Sequence, residues 1–150
     1  MATSMPTAAK AAGAVSFAIV GWLVANAYIP GMADATGAGH MREYNAIVGA
    51  IVGWAVMGNS VGHKYIDSVG YGWKTVIVLV VVALFTFGLS EMLKQSTRMV
   101  YNDPIEAIAD IFYQMFKRSQ TAMTMKVFTV MFFGGAIGGF VTEYASRRWR

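Results

Sequence analysis

The stretch from Val127 to Thr142 reads VFTVMFFGGAIGGFVT, and it is apolar, uncharged and rich in glycine. Glycine in a helix interior costs about 1 kcal/mol relative to alanine. Glycines four positions apart lie on one face of a helix, and there they allow another backbone to come close. The stretch therefore predicts a membrane-crossing helix that packs tightly against a neighbouring helix.

The composition of the whole chain also indicates a membrane protein. It has 150 residues, of which 56% are hydrophobic and 13% are charged, whereas a soluble domain carries roughly 25% charged residues. The absence of cysteine rules out disulfides and thiolate metal sites. The basic residues lie mainly between and after the apolar runs, which suits anionic lipid headgroups better than nucleic acid. We expect the lipid bilayer, and no nucleic acid, as a partner.

Four apolar stretches predict an all-α, integral membrane four-helix protein with one domain over residues 1–150. A signal peptide is the alternative for the first stretch, and polar residues dilute the ends of the second. The β-branched run within the third would be a strand in a soluble protein, but a lone strand leaves its backbone unsatisfied in lipid. The predicted spans cover about residues 11–29, 44–62, 73–90 and 122–142. The predicted membrane anchors are Trp73, Lys74, Arg147, Arg148, Trp149 and Arg150.

A further amphipathic helix is predicted between spans three and four, over about residues 104–118. Asp103 is placed to cap it, with Pro104 at its first position and Glu106 completing a capping box. We expect this helix to lie in the membrane interface or to pack across the ends of the spans, as a structural lid or as a recognition helix. Its predicted buried face comprises Ile108, Phe112 and Met115.

The orientation follows only from the charge near the ends of the spans. With four spans, Lys and Arg are equally numerous on the two sides, so the count alone does not decide. The dense run Arg147–Arg150 lies directly beside the fourth span and favours a cytoplasmic location for both termini.

Small residues on two of the predicted spans suggest where helices meet. These glycines are Gly49 and Gly53 in the second span, and Gly134, Gly135, Gly138 and Gly139 in the fourth. Their simplest use is packing between helices of this chain. The alternative is a groove for a second copy of the chain or for another membrane protein subunit, and the double row in the fourth span favours that alternative.

The sequence offers little chemistry to support an enzyme. No charge is predicted deep inside a span, which argues against a proton relay or an ion pump. His40 and His63 fall on opposite sides of the predicted membrane, so they cannot share a metal ion. Met123 and Met125 lie on different faces of a helix and are interpreted as packing. We therefore predict a protein without catalytic, cofactor-binding or metal-binding residues.

Several segments resemble the TrgA family, small integral membrane proteins of alphaproteobacteria. They are Met5–Lys10, GWAVMGNSVGHKY at Gly53–Tyr65, YNDPIEAIADIF at Tyr101–Phe112, and EYASRRWR at Glu143–Arg150. The resemblance implies a bacterial inner (cytoplasmic) membrane location and a role in tellurite or oxyanion tolerance, and it brings no catalytic residues. The alternative function is an accessory structural subunit of a larger respiratory or photosynthetic complex, which binds partner helices through the glycine grooves.

Overall fold

The structure, a computed structural model, describes residues 8–32, 39–99 and 102–149. The predicted features at Met5–Thr7, Tyr101 and Arg150 lie outside these residues. The described residues form helices and no strands, which confirms the all-α prediction. In chain order the helices are α1 (Ala8–Tyr28) with a 3₁₀ turn at Ile29–Gly31, α2 (Met41–Val52) continuing as a π-helix at Gly53–Met57, α3 (Tyr65–Thr97), α4 (Pro104–Ala122) and α5 (Met125–Arg148).

Three of these helical segments are long and apolar enough to cross a membrane. They cover Ala8–Gly31, Tyr65–Thr97 and Met125–Arg148. The chain is therefore a membrane protein by helix length and composition, as its low charge indicates.

The second predicted stretch is helical over a shorter length than residues 44–62. Helix α2 has 12 residues and its π-helical continuation has 5, ending at Met57. The side chains of Asn59 and Ser60 then bond back to the carbonyl oxygens of Ala55 and Val56, at 2.6 and 2.8 Å. Gly62, in the loop between the π-helix and α3, has a φ of 98°, a left-handed conformation that glycine adopts without steric cost.

Helix α3 extends well beyond predicted span 73–90 at both ends. It has 33 residues, which corresponds to about 50 Å at 1.5 Å per residue. The hydrocarbon core is only about 30 Å thick, so α3 either tilts or projects from the bilayer. Hydropathy locates the part of a helix that lies in lipid, and polar ends such as Glu91–Thr97 continue the same helix without adding to that signal.

The junction between α4 and α5 falls inside the stretch predicted as the fourth span. Residues 122–124 end α4 and form a turn, in which the Thr124 hydroxyl donates to the Thr121 carbonyl oxygen at 2.7 Å. At the other end of α4, Asp103 occupies the N-cap position and Pro104 follows it. The predicted capping box does not form. The Asp103 side chain makes no cap bond, and Glu106 accepts the N–H of Asn102 at 3.2 Å.

The core of the bundle lies where α1 meets α2 and α5, and where α3 meets α5. Phe17 of α1, Met57 of the π-helix and Leu79 of α3 have no exposed surface. Helix α4 packs on the later part of α3, where a Cβ added at Gly88 would lie 3.0 Å from the carbonyl oxygen of Ile111. The C-terminal part of α4 also reaches α1, because the Tyr28 hydroxyl donates to the Arg118 carbonyl oxygen at 3.4 Å.

Candidate interaction sites and a buried carboxylate

Helices α1 and α2 touch backbone to backbone at glycines. A Cβ added at Gly49 would lie 2.1 Å from the carbonyl oxygen of Phe17, and one added at Gly53 would lie 2.3 Å from that of Gly13. The contact is reciprocal, since a Cβ at Gly21 would lie 2.2 Å from the carbonyl oxygen of Asn45. Real side chains essentially never come this close to a backbone oxygen, so this interface requires glycine.

The double row of glycines on α5 has two different neighbours. Gly135 and Gly139 face α3, where a Cβ at Gly139 would lie 2.3 Å from the Ser68 carbonyl oxygen. From the α3 side, a Cβ at Gly72 would lie 2.0 Å from the Gly135 carbonyl oxygen. Gly134 and Gly138 face α1 and meet side chains instead, Val20 at 3.0 Å and Phe17 at 3.1 Å.

The six predicted packing glycines therefore all contact helices of the same chain. Intramolecular packing accounts for both rows of α5, and these grooves are already occupied without a second protein. Sequence reasoning missed the partner glycines Gly13, Gly21 and Gly72. Gly13 and Gly21 are eight positions apart on one face of the first apolar stretch, so their spacing carried a signal. Gly72 lies at the edge of the third apolar stretch, beside the predicted membrane anchors Trp73 and Lys74, and was not predicted to contact another helix.

The predicted anchors have several different environments. Trp73 packs on α5, where its indole N–H donates to the Phe132 carbonyl oxygen at 3.0 Å and its ring lies 4.8 Å from the Phe132 ring. Lys74 is exposed on α3. Arg148 donates to the Tyr144 hydroxyl at 3.1 Å, and Trp149 is 67% exposed.

Met123 and Met125 are 81% and 77% exposed at the α4–α5 turn, so the prediction that they fill packing space is wrong.

The apolar face predicted on α4 divides into two parts. Ile111 is buried against α3, and Met115 is half-buried beside it. Ile108 and Phe112 are 56% and 64% exposed, so the bundle does not cover them. The sequence correctly grouped these side chains on one side of a helix, but it could not show which part of that side the bundle occupies.

A fully buried carboxylate lies near the C-terminal end of α5. Glu143 has no exposed surface, although it falls one residue past the predicted fourth span and was not singled out. Its Oε2 accepts the backbone N–H of Gly62 at 2.9 Å, and its Oε1 accepts the Nε–H of Arg147 at 2.9 Å. Ser68 is a further hydrogen-bonding neighbour. The spacing of Glu143 and Arg147, four residues apart on a helix, was the available signal.

Arg147 connects this carboxylate to the loop that precedes α3. Its Nη2 donates to the His63 carbonyl oxygen at 2.6 Å, and its guanidinium carbon lies 4.4 Å from the centre of the Tyr65 ring. A buried charge is tolerated when it is paired and hydrogen-bonded, as here. Because both carboxylate oxygens are engaged, the arrangement fits a structural clamp between α5 and the start of α3 rather than a general base.

Metal ligation finds no support in the described ranges. Within residues 8–32, 39–99 and 102–149, His, Asp and Glu side chains do not gather in groups of three that could hold a metal ion. His63 instead stacks on Tyr71, with ring centres 5.2 Å apart.

The Arg147 clamp leads to a prediction about stability. Arg147→Gln removes the charged partner of a carboxylate that stays buried, so we expect the thermal unfolding temperature in detergent to fall by several degrees. Arg148→Gln is the matched control, because Arg148 is exposed and donates to the Tyr144 hydroxyl rather than to a buried carboxylate. Adding Glu143→Gln to Arg147→Gln should recover part of the loss, since the buried charge is then gone. Equal unfolding temperatures for the two arginine variants would contradict the clamp.

Comparison with known proteins gives no match to a family model, to a curated protein or to a solved structure. The resemblance to the TrgA family therefore stays a prediction.

Proposed function

We propose that the protein is a small, non-catalytic, multi-pass protein of the bacterial inner membrane that acts in tellurite or oxyanion tolerance. In this proposal it has four spans, an interfacial helix α4 and both termini in the cytoplasm. The proposed role in tellurite tolerance rests on the resemblance to the TrgA family. The membrane arrangement has its own support in the way α4 is built.

Helix α4 has three distinct sides, and this observation carries the proposed membrane arrangement. At about 100° per residue, Ala107, Ile111 and Met115 form the side that is buried or half-buried. The next side is apolar and exposed, with Ile105, Ile108, Phe112 and Phe116 each 56–79% exposed. Beyond it comes a polar side with Glu106 and Lys117. A helix that lies on a membrane surface beside a bundle needs these three sides, for protein, lipid and water respectively.

The continuous helical path of α2 supports a fourth span. From Met41 to Met57 it runs antiparallel to α1, because Asn45 lies beside Gly21 and Gly53 lies beside Gly13. Its outward side chains are apolar, with Ile47 and Ile51 59% and 63% exposed. Such a surface is suited to lipid. The path spans about 25 Å at 1.5 Å per residue, slightly less than the hydrocarbon thickness, and local thinning or flanking polar residues accommodate that difference.

An accessory-subunit role is the second candidate, and it needs a surface other than the glycine rows. Helix α5 offers one, since Phe133, Ile137 and Phe140 lie on one face at helical spacing and are 48–62% exposed. Aromatic side chains are enriched at protein–protein interfaces. A partner helix of a respiratory or photosynthetic complex would pack there.

The interfacial placement of α4 predicts different surroundings for two exposed positions. Single spin labels at Phe112 and at Lys117 should differ sharply in vesicles, with the first accessible to oxygen and the second to a water-soluble paramagnetic reagent. Both positions are exposed on the protein, so the difference must come from the membrane. Equal accessibility of the two labels to the water-soluble reagent would contradict the interfacial helix.

The proposed role in tolerance predicts a growth phenotype. Deleting the gene in its own bacterium should lower the tellurite concentration that permits growth, and the parent gene should restore it. A Phe112→Asp copy should restore less than a Lys117→Asp copy at equal membrane abundance, because only the first puts a charge on the lipid side of α4. Unchanged tolerance after deletion would contradict the proposed role. Loss of a respiratory or photosynthetic complex instead would favour the accessory-subunit role.

A further inference from the structure

An open groove lies between the start of α2 and the later part of α3. It has a volume of about 720 Å³, within the range of roughly 300–1,000 Å³ that small-molecule sites occupy. Its lining includes His40, Met41, Tyr44, Phe87, Leu93 and Lys94. The rings of Tyr44 and Phe87 lie 5.5 Å apart and join the two helices within the groove. The groove follows the helix surfaces and is open to the outside.

The lining is mostly apolar, and Lys94 adds a charge at one end of the groove. Phe87, Ser90 and Lys94 share one face of α3, since they are three and four positions apart. Lys94 therefore lies about 10 Å beyond Phe87 along the helix axis. Met41 and Leu93 add apolar surface, and His40 adds a polar ring at the start of α2. An amphiphile with an apolar chain and an anionic head matches a mostly apolar groove with one cationic end.

The charge at the polar end of the groove is positive. Lys94 lies 3.6 Å from Glu91, but the same carboxylate oxygen also lies 3.9 Å from Arg118. One carboxylate shared by two cations leaves an excess positive charge. The Lys94 side chain is 68% exposed, so it is free to reach a second anion.

We propose that this groove binds one anionic phospholipid. Its acyl chain lies against Phe87 and Tyr44, and its phosphate lies at Lys94. Basic side chains near a membrane surface attract anionic lipid headgroups. The inference rests on the proposed function in one respect, because the interfacial position of α4 puts Arg118 and Lys94 at headgroup level.

The test measures lipid binding to the purified full chain by native mass spectrometry in mild detergent. Titration should show tighter binding of phosphatidylglycerol than of phosphatidylcholine. Lys94→Gln should weaken phosphatidylglycerol binding about fivefold, which is the contribution expected of one basic residue near a membrane surface. Lys74→Gln is the matched control, since Lys74 is exposed on the same helix but away from the groove. Ser90→Trp should weaken binding of both lipids by filling the groove.

Two results would overturn the lipid site. One is equal binding of the two lipids by the parent protein, and the other is an equal effect of Lys94→Gln and Lys74→Gln. These failures are distinct from a failure of the proposed function. If the Phe112 label reports lipid while Lys94→Gln binds normally, only the lipid site is wrong. If the Phe112 label is accessible to the water-soluble reagent, the interfacial position of α4 is wrong, regardless of the effect of Lys94→Gln on lipid binding.

Discussion

Direct contact between helix backbones at glycine is the constraint on which the rest of this structure depends. At five interfacial glycines, an added Cβ would lie 2.0–2.3 Å from a backbone oxygen of the neighbouring helix; they are Gly21, Gly49, Gly53, Gly72 and Gly139. In lipid, apolar contact alone gives helices no reason to associate, because lipid tails are equally apolar. Close approach supplies the dispersion contacts instead. Close backbone contact at glycine, where no side chain intervenes, therefore holds the bundle together, rather than large interlocking side chains.

This arrangement determines which surfaces are left for function. Because the glycine rows of α5 are used by α1 and α3, the outward surface of the bundle consists of large apolar side chains suited to lipid. Helix α4 joins this bundle through Ile111 and through the Tyr28–Arg118 hydrogen bond, and its adjoining apolar side stays exposed. The Glu143–Arg147 pair holds the loop before α3 to the end of α5. The functional proposals for this protein therefore concern its contacts with the membrane rather than an internal cleft.

The sequence was sufficient to predict the helical class, the membrane location and the positions of most helices. Long uncharged stretches indicate helices that lie in lipid, and glycines at helical spacing indicate close packing between helices. It could not give the ends of α3, since hydropathy marks lipid and the helix continues through polar residues to Thr97. It also missed the buried Glu143, because its burial depends on a loop of the chain 81 positions away at Gly62. Whether the glycines pack against helices of the same chain or bind another protein likewise could be decided only from the three-dimensional arrangement. Gly72, the partner of Gly135, has no glycine at helical spacing to mark it.

A comparison of two glycines in α3 tests the central claim most directly. A Cβ at Gly72 would lie 2.0 Å from the Gly135 carbonyl oxygen, whereas a Cβ at Gly70 would meet nothing within 4 Å. Alanine raises helix propensity equally at both positions, by about 1 kcal/mol, so only packing distinguishes them. Thermal unfolding in lipid nanodiscs should show Gly72→Ala destabilised by about 1–3 kcal/mol and Gly70→Ala unchanged or more stable. Equal stability of the two variants would contradict the claim that backbone contact at glycine holds this fold together.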